Sequence, residues 1–292
     1  MSIVSAKQML TKASEEGYSV GAFNCTNIAQ LMGVIDAAVN KKAPVIIQAS
    51  LSPAKFYGMK TLVGIYHGVA ADLDIPVCLH LDHCDDVELC KQAADAGFTN
   101  IMIDASKHDF EENIRQTKEV ADYCHNHFAD VSVEGELGTV AGVEDQVKVA
   151  DDEAQLCDPA KSMEYVERTG IDLFAPAIGT AHGVYTTPNP KIDVKRFALI
   201  NTLLNKPVVK APLIIHGGTG LKEEVVRALI EAGGAKFNIS TDLKYVLLDT
   251  TRDYIAANPK QYNPGKVDQA VRTAICKRVE YFIDLCGSTG KA

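Results

Sequence analysis

The 292-residue chain is 47% hydrophobic and 23% charged, enough apolar material for a sizeable core and too much for a disordered or fibrous protein. A net charge of -9 without a Lys/Arg cluster excludes a nucleic-acid surface, and any phosphate-bearing ligand must be held by local donors. No apolar run is long enough for a membrane span, Met1 to Thr11 lacks the apolar segment of a secretory signal, and eight scattered cysteines without a CxxC pair read as free thiols, so the expected location is the cytoplasm.

In chain order, β-rich runs occur at Val20–Phe23, Val45–Gln48, Val77–Leu81, Ile101–Ile103, Val131–Val133, Leu173–Ala177, Leu213–Ile215 and Phe237–Ser240, each followed by a segment of helical spacing. Pro44, Pro76 and Pro212 precede three of them, and Gly97 and Gly233 close helical segments ahead of two others. The runs are almost wholly apolar and do not alternate, as parallel strands covered on both faces require. Eight strand-helix units predict a single-domain (β/α)8 TIM barrel over residues 1–292. A doubly wound sheet is the alternative, weakened because no Gly-rich dinucleotide fingerprint opens the first unit. The acidic stretch from Gly138 to Pro159 breaks the rhythm and reads as a mobile active-site loop around 138–159.

A barrel builds its site from the C-terminal ends of its strands. Just past the eight runs stand Asn24; Gln48 and Ser50; Asp82 and His83; Asp104; Glu134 and Glu136; His182; His216; and Asn238 with Thr241. Three histidines from strands three, six and seven suit a catalytic zinc site with a fourth position open, whereas His67, His80, His108, His125 and His127 read as ordinary core or surface residues. The glycine runs Ile178–Tyr185, Ile215–Gly220 and Asn238–Asp242 offer backbone N–H groups and hydroxyls ahead of helices, where an anion is favoured. By residue type alone, Asp104, Glu134 and Glu136 are candidates for metal ligands, partners of ligands or acid-base groups, and Glu144 is a solvated charge.

Five motifs in order, LHLDH (Leu79–His83), VEGELG (Val133–Gly138), IGTAHG (Ile178–Gly183), HGGTG (His216–Gly220) and NISTD (Asn238–Asp242), make the chain from Val4 to Gly290 resemble the class II ketose-bisphosphate aldolases, the fructose-bisphosphate and tagatose-bisphosphate enzymes. The resemblance implies reversible cleavage of a ketose 1,6-bisphosphate to dihydroxyacetone phosphate and glyceraldehyde 3-phosphate. His83, His182 and His216 would hold zinc as a Lewis acid, with Asp104 and Glu136 matching an alternate resting location. Asp82 would exchange the C4 hydroxyl proton, Glu144 the proton on the dihydroxyacetone phosphate carbon, and Asn238 would hold the enediolate. Gly183, Gly217, Gly218, Thr219, Ser240 and Thr241 would wrap the phosphate end beside a sodium or potassium ion. Asn24, Gln48 and Ser50 match substrate-side polar positions, and Arg252 matches a distal-phosphate position.

By the same resemblance, the partner is a small phosphorylated sugar and the assembly a homodimer or homotetramer. Three positions depart from the family pattern: Cys84 replaces a glycine, Thr186 a lysine near the phosphate, and Thr219 a serine. Cleavage of a different phosphorylated ketose, an epimerase and a non-catalytic accessory subunit are the competing readings. The intact set of Asp82 and three histidines speaks against the last. A Schiff-base mechanism needs a buried lysine at a strand end, and the eight ends show none.

Overall fold

The computed structural model describes residues 2–144, 147–149, 155–185, 187, 190–204 and 211–292, with backbone alone at 143–144 and 147–149. Its strands are β1 (Val20–Asn24), β2 (Val45–Ala49), β3 (Val77–Cys84), β4 (Asn100–Ile103), β5 (Ser132–Leu137), β6 (Ala141–Glu144), β7 (Val147–Val149), β8 (Leu173–Pro176), β9 (Ala181–His182), β10 (Leu213–Ile215) and β11 (Gly234–Ile239). Eight of them close into a barrel in the order β1-β11-β10-β8-β5-β4-β3-β2, every pair parallel. This is the (β/α)8 architecture that the strand-helix alternation predicts. No helix among the described residues is long and apolar enough to cross a membrane.

Local chemistry sets the helix boundaries. Ser5, Asn27, Asp86, Asp109, Asp158 and Asn263 each accept a backbone N–H at a helix start, satisfying donors that the helix itself cannot. Pro159 and Pro264 open two helices at the position where a missing N–H costs nothing.

The core has two parts. The larger fills the space between barrel and helices, with Phe23, Leu79, Phe98, Phe174, Phe197 and Phe237 wholly buried, each side chain contributing about 1.5–3 kcal/mol. The smaller lies inside the lower barrel. There Val20, Ala22, Ile46, Cys78, Leu173, Ala175, Ile214 and Ala235 meet the apolar face of the first helix, Ala6–Glu16, through Ala6, Met9, Leu10 and Ala13.

Four findings depart from the sequence reading. β3 runs to Cys84, so Asp82 and His83 lie in the strand and not after it. β5 runs to Leu137, which puts Glu134 and Glu136 inside the barrel wall, both buried. β11 starts at Gly234, so Lys236 is a strand residue, and it is wholly buried. The 138–159 segment, which has no periodicity in sequence, carries β6 and β7, and these join β9 in a small separate sheet. Strands of two to four residues are too short to display an alternation.

Candidate active site

The centre of the site is a break in the β3 ladder. His80 and Leu81 pair with Asn100 and Ile101, but the next pair is Cys84 with Ile103, so β3 carries one residue more than β4. Such a bulge re-aims side chains. His83 adopts the left-handed region at φ 46, uncommon for a non-glycine residue. Asp82 and His83 would point to opposite faces of a regular strand; here both are buried at the barrel mouth. Cys84 resumes the ladder with its thiol donating to Asp86 O at 3.3 Å.

His83, His182 and His216 converge, each offering a ligand atom within 4.8 Å of the others. Their ring centroids stand 4.6 Å, 4.6 Å and 5.9 Å apart. His83 Nδ1 meets Asp104 Oδ2 at 2.8 Å and His216 Nε2 meets Glu134 Oε1 at 2.9 Å. The opposite nitrogens, His83 Nε2 and His216 Nδ1, are buried without a hydrogen-bond partner. An unsatisfied buried polar atom costs about 1–3 kcal/mol, and two at one point call for a common occupant. A nitrogen-rich set whose rings are anchored by carboxylates on their far sides fits zinc. His83, Asp104 and Glu136 form a second group of the same compactness, and Glu136 Oε2, 3.5 Å from His216 Nδ1, also makes no hydrogen bond.

The charges are arranged accordingly. Burial pushes the His83 imidazole down, but Asp82 and Asp104 outweigh it and raise its pKa to about 10. Burial lowers His216 to about 4, which leaves it neutral. Burial, joined by the charge of Asp104, holds Glu136 well above the usual carboxylate range. Asp104 itself lies below that range, because the bond to His83 overrides the burial that would raise it.

His182 is not at the end of β8. It sits six residues beyond, on β9, where Ala181 and His182 pair with Ala141 and Gly142 of β6. The clamp is tight on both sides. A Cβ at Gly142 (φ 102) would lie 2.1 Å from His182 O, and one at Gly217 (φ 68) would lie 2.6 Å from Ala181 O. The Tyr185 hydroxyl donates to Gly217 O at 2.7 Å and accepts from Ala181 N at 3.2 Å, closing the turn.

Beside the histidines, amides hold Asp82. Asn24 Nδ2 donates to Oδ2 at 2.9 Å, Gln48 Nε2 to the same oxygen at 3.3 Å and to Asn24 Oδ1 at 2.7 Å, and Asn238 Nδ2 to Oδ1 at 3.3 Å. Burial alone would raise the Asp82 carboxyl; His83, His80 and Lys236 more than offset it and hold it well below its ordinary value. Asn238 Oδ1 and Gln48 Oε1 have no partner. Asp82, His83, His182 and Asn24 share a pocket with Gly183, Gly217, Gly218, Thr219, Asn238, Ser240 and Thr241. Gly218 has no room for a side chain, since a Cβ would lie 2.5 Å from the Phe237 ring. Ser240 stands immediately before the helix Thr241–Ala257, whose free N–H groups favour an anion.

Two expected residues lie elsewhere. Ser50 is buried at the start of the helix Leu51–Tyr57, outside this pocket. Arg252 is exposed on the outer helix and paired with Asp249 at 2.7 Å. The backbone of Glu144 ends β6, but its side chain falls outside the described residues, as does all of Thr186. A wider cleft at the other end of the barrel is lined by Lys7, His125 and Asp172, which are ion-paired among themselves.

Sequence reading missed Lys236; His80 is the core residue expected, and Lys236 is the partner that the sequence does not show. Lys236 Nζ lies 2.7 Å from Glu134 Oε2 and 3.1 Å from His80 Nε2, all three residues wholly buried. A lysine between Ala235 and Phe237 was the available signal. Lys236 stands in mid-strand, below the mouth and engaged by a carboxylate, so it does not supply the strand-end amine that a Schiff base requires.

The sequence matches the family described as "Fructose-bisphosphate aldolase class-II" over residues 4–291. It is 40% identical over 295 residues to a fructose-bisphosphate aldolase of Geobacillus stearothermophilus, covering 100% of this chain and 99% of that one. The same identity relates it to a fructose-bisphosphate aldolase of Staphylococcus aureus, with 100% of both chains covered. The X-ray structure of the YdjI aldolase from Escherichia coli K12 superposes with a TM-score of 0.85 at 32% identity, covering 99% of each chain.

Proposed function

We propose, on the premise that this chain belongs to the class II fructose-bisphosphate aldolase family, that it cleaves fructose 1,6-bisphosphate to dihydroxyacetone phosphate and glyceraldehyde 3-phosphate, with zinc held by His83, His182 and His216. One observation carries the zinc reading: two unpartnered buried imidazole nitrogens aimed together beside an ionised Asp82. Zinc, when bound, supplies Lewis-acid polarisation of the substrate carbonyl.

The residues of the chain do the rest. Asp82, held ionised and oriented by Asn24, Gln48 and Asn238, takes the C4 hydroxyl proton as the C3–C4 bond breaks. C4 leaves as the aldehyde, and the electron pair of the broken bond stays on C3. Asn238 stands beside the three-carbon fragment with an acceptor to spare. Gly183, Gly217, Gly218, Thr219, Ser240 and Thr241 hold its phosphate through backbone N–H groups and hydroxyls, which a net charge of -9 makes necessary. Glu144 returns the proton to C3. Asp104 and Glu136, with His83, form the alternate cation location.

The proposal includes a sodium or potassium ion at the phosphate end, Arg252 at the distal phosphate, a cytoplasmic setting that suits the eight free thiols, and a homodimer or homotetramer. The test is a coupled assay for dihydroxyacetone phosphate over fructose 1,6-bisphosphate, tagatose 1,6-bisphosphate and other ketose phosphates, before and after chelation and zinc return. Cleavage of the fructose ester, lost on chelation and restored by zinc, is expected. Full activity in a metal-stripped sample refutes the zinc reading, and turnover confined to another ketose refutes the substrate.

A further inference from the structure

Below the histidines the barrel interior changes character. TIM-barrel interiors are dominated by Val, Ile and Leu, yet here Lys236, Glu134, His80 and Asn100 occupy one layer with no exposure at all. A buried ion pair is weak evidence for stability, because apolar side chains of the same volume serve a core as well or better. The layer therefore calls for a use other than holding the barrel shut.

The distances show what it touches. Glu134 spends one oxygen on Lys236 Nζ at 2.7 Å and the other on His216 Nε2 at 2.9 Å. Lysine only donates, so Oε2 is fixed as its acceptor and Oε1 is left to face the imidazole. The close carboxylate at Nε2 takes the proton there, because the carboxylate nearest Nδ1, Glu136 Oε2, stands at 3.5 Å and makes no hydrogen bond; Nδ1 is left as the bare nitrogen facing the other two histidines. Asn100 Nδ2 at 3.5 Å and His80 Nε2 at 3.8 Å also face Oε2, both more distant than Lys236 Nζ.

We infer that Lys236 is a positioning residue for the metal site: by holding Glu134, it locks the His216 ring and its tautomer so that Nδ1 is presented for coordination. This rests on the metal-dependent reading above and assigns Lys236 a part in it without contact to substrate.

The experiment measures zinc dissociation constants by competition with a chromophoric chelator, on wild type and on the Lys236→Met, Glu134→Gln and double variants, with thermal unfolding of each metal-free form. The double variant removes both buried charges at nearly constant volume, so it keeps a folded barrel. It is expected to bind zinc about 10- to 100-fold more weakly than wild type. Because Lys236 acts through Glu134, the double variant loses no more than about threefold beyond Glu134→Gln alone. A folded double variant that binds zinc like wild type, or losses that simply add, overturns the inference. Should no variant fold, ¹⁵N-histidine NMR of the metal-free wild type decides: a proton on His216 Nε2 is expected, and one on Nδ1 overturns the inference. Wild type that binds no zinc defeats the metal reading itself, a separate result.

Discussion

Replacing Gly142 with alanine isolates the contribution of the small sheet. The new Cβ would lie 2.1 Å from His182 O and 2.9 Å from His182 C and N, where ordinary contact begins at 3.4 Å. All three atoms are backbone, so no side-chain rotation relieves the clash. A shift of more than 1 Å is required between strands normally about 4.8 Å apart, too far for the β6–β9 hydrogen bonds to survive. The left-handed φ of 102 adds about 1–2 kcal/mol for a residue with a Cβ. β9 has only two residues and the eight barrel strands are untouched, so β9 and its histidine are expected to move while the barrel holds. Zinc affinity should fall by at least about 100-fold, since a ligand is lost and not merely a partner of one. The melting temperature of the metal-free protein should drop by no more than about 4 °C. Gly17→Ala is the control: φ is 71, but nothing lies within 4 Å of the added Cβ, so only stability responds, by about 1–2 kcal/mol. Chelator competition and thermal melts read both quantities. Zinc affinity in Gly142→Ala within about threefold of wild type would refute the argument that β6 positions His182.

Other outcomes follow from the same geometry. With His83 raised to about 10, its proton is present below that pH in the metal-free protein and must leave when the nitrogen coordinates; zinc affinity should therefore climb about tenfold per pH unit from about pH 7 to about pH 10. Calorimetry in buffers of different ionisation enthalpy should show release of about one proton, and a pH-independent affinity would contradict the assignment. Asp82→Ala should cut cleavage by about 10²- to 10⁴-fold while the protein still carries zinc; loss of metal instead would make Asp82 a structural support. Borohydride treatment with dihydroxyacetone phosphate should leave Lys236 unmodified, and a covalent adduct by mass spectrometry would overturn the zinc mechanism.

Much of the barrel is legible in the sequence because its signals are local: apolar runs without alternation, prolines before strands and glycines after helices. Asp82, His83, His216 and the glycine runs are legible because a barrel mouth is the place for polar groups at strand ends. What escapes depends on register. A bulge cannot be read from LHLDHC, because the extra residue is defined only by its partner strand. Lys236 is not legible because the apolar run begins at Phe237, and its contact with Glu134 spans 102 positions. His182 lies within the IGTAHG motif, but its place depends on β6, whose pairing lies in a stretch with no pattern of its own. Arg252 is a different case: its helix turns the side chain to solvent, beside Asp249, so nothing in the local fold ties it to the pocket.

The buried layer of Lys236, Glu134, His80 and Asn100, with the first helix packed beneath it through Ala6, Met9, Leu10 and Ala13, leaves the barrel open at one mouth. Whatever enters to be cleaved and both pieces that result must pass the same opening. Where one fragment sits deeper than the other, it must wait for the one above it. Such an enzyme is expected to release its products in a fixed sequence and, run backwards, to take up its two substrates in the reverse sequence. That ordering would be imposed from beneath the mouth, by the packed interior of the barrel.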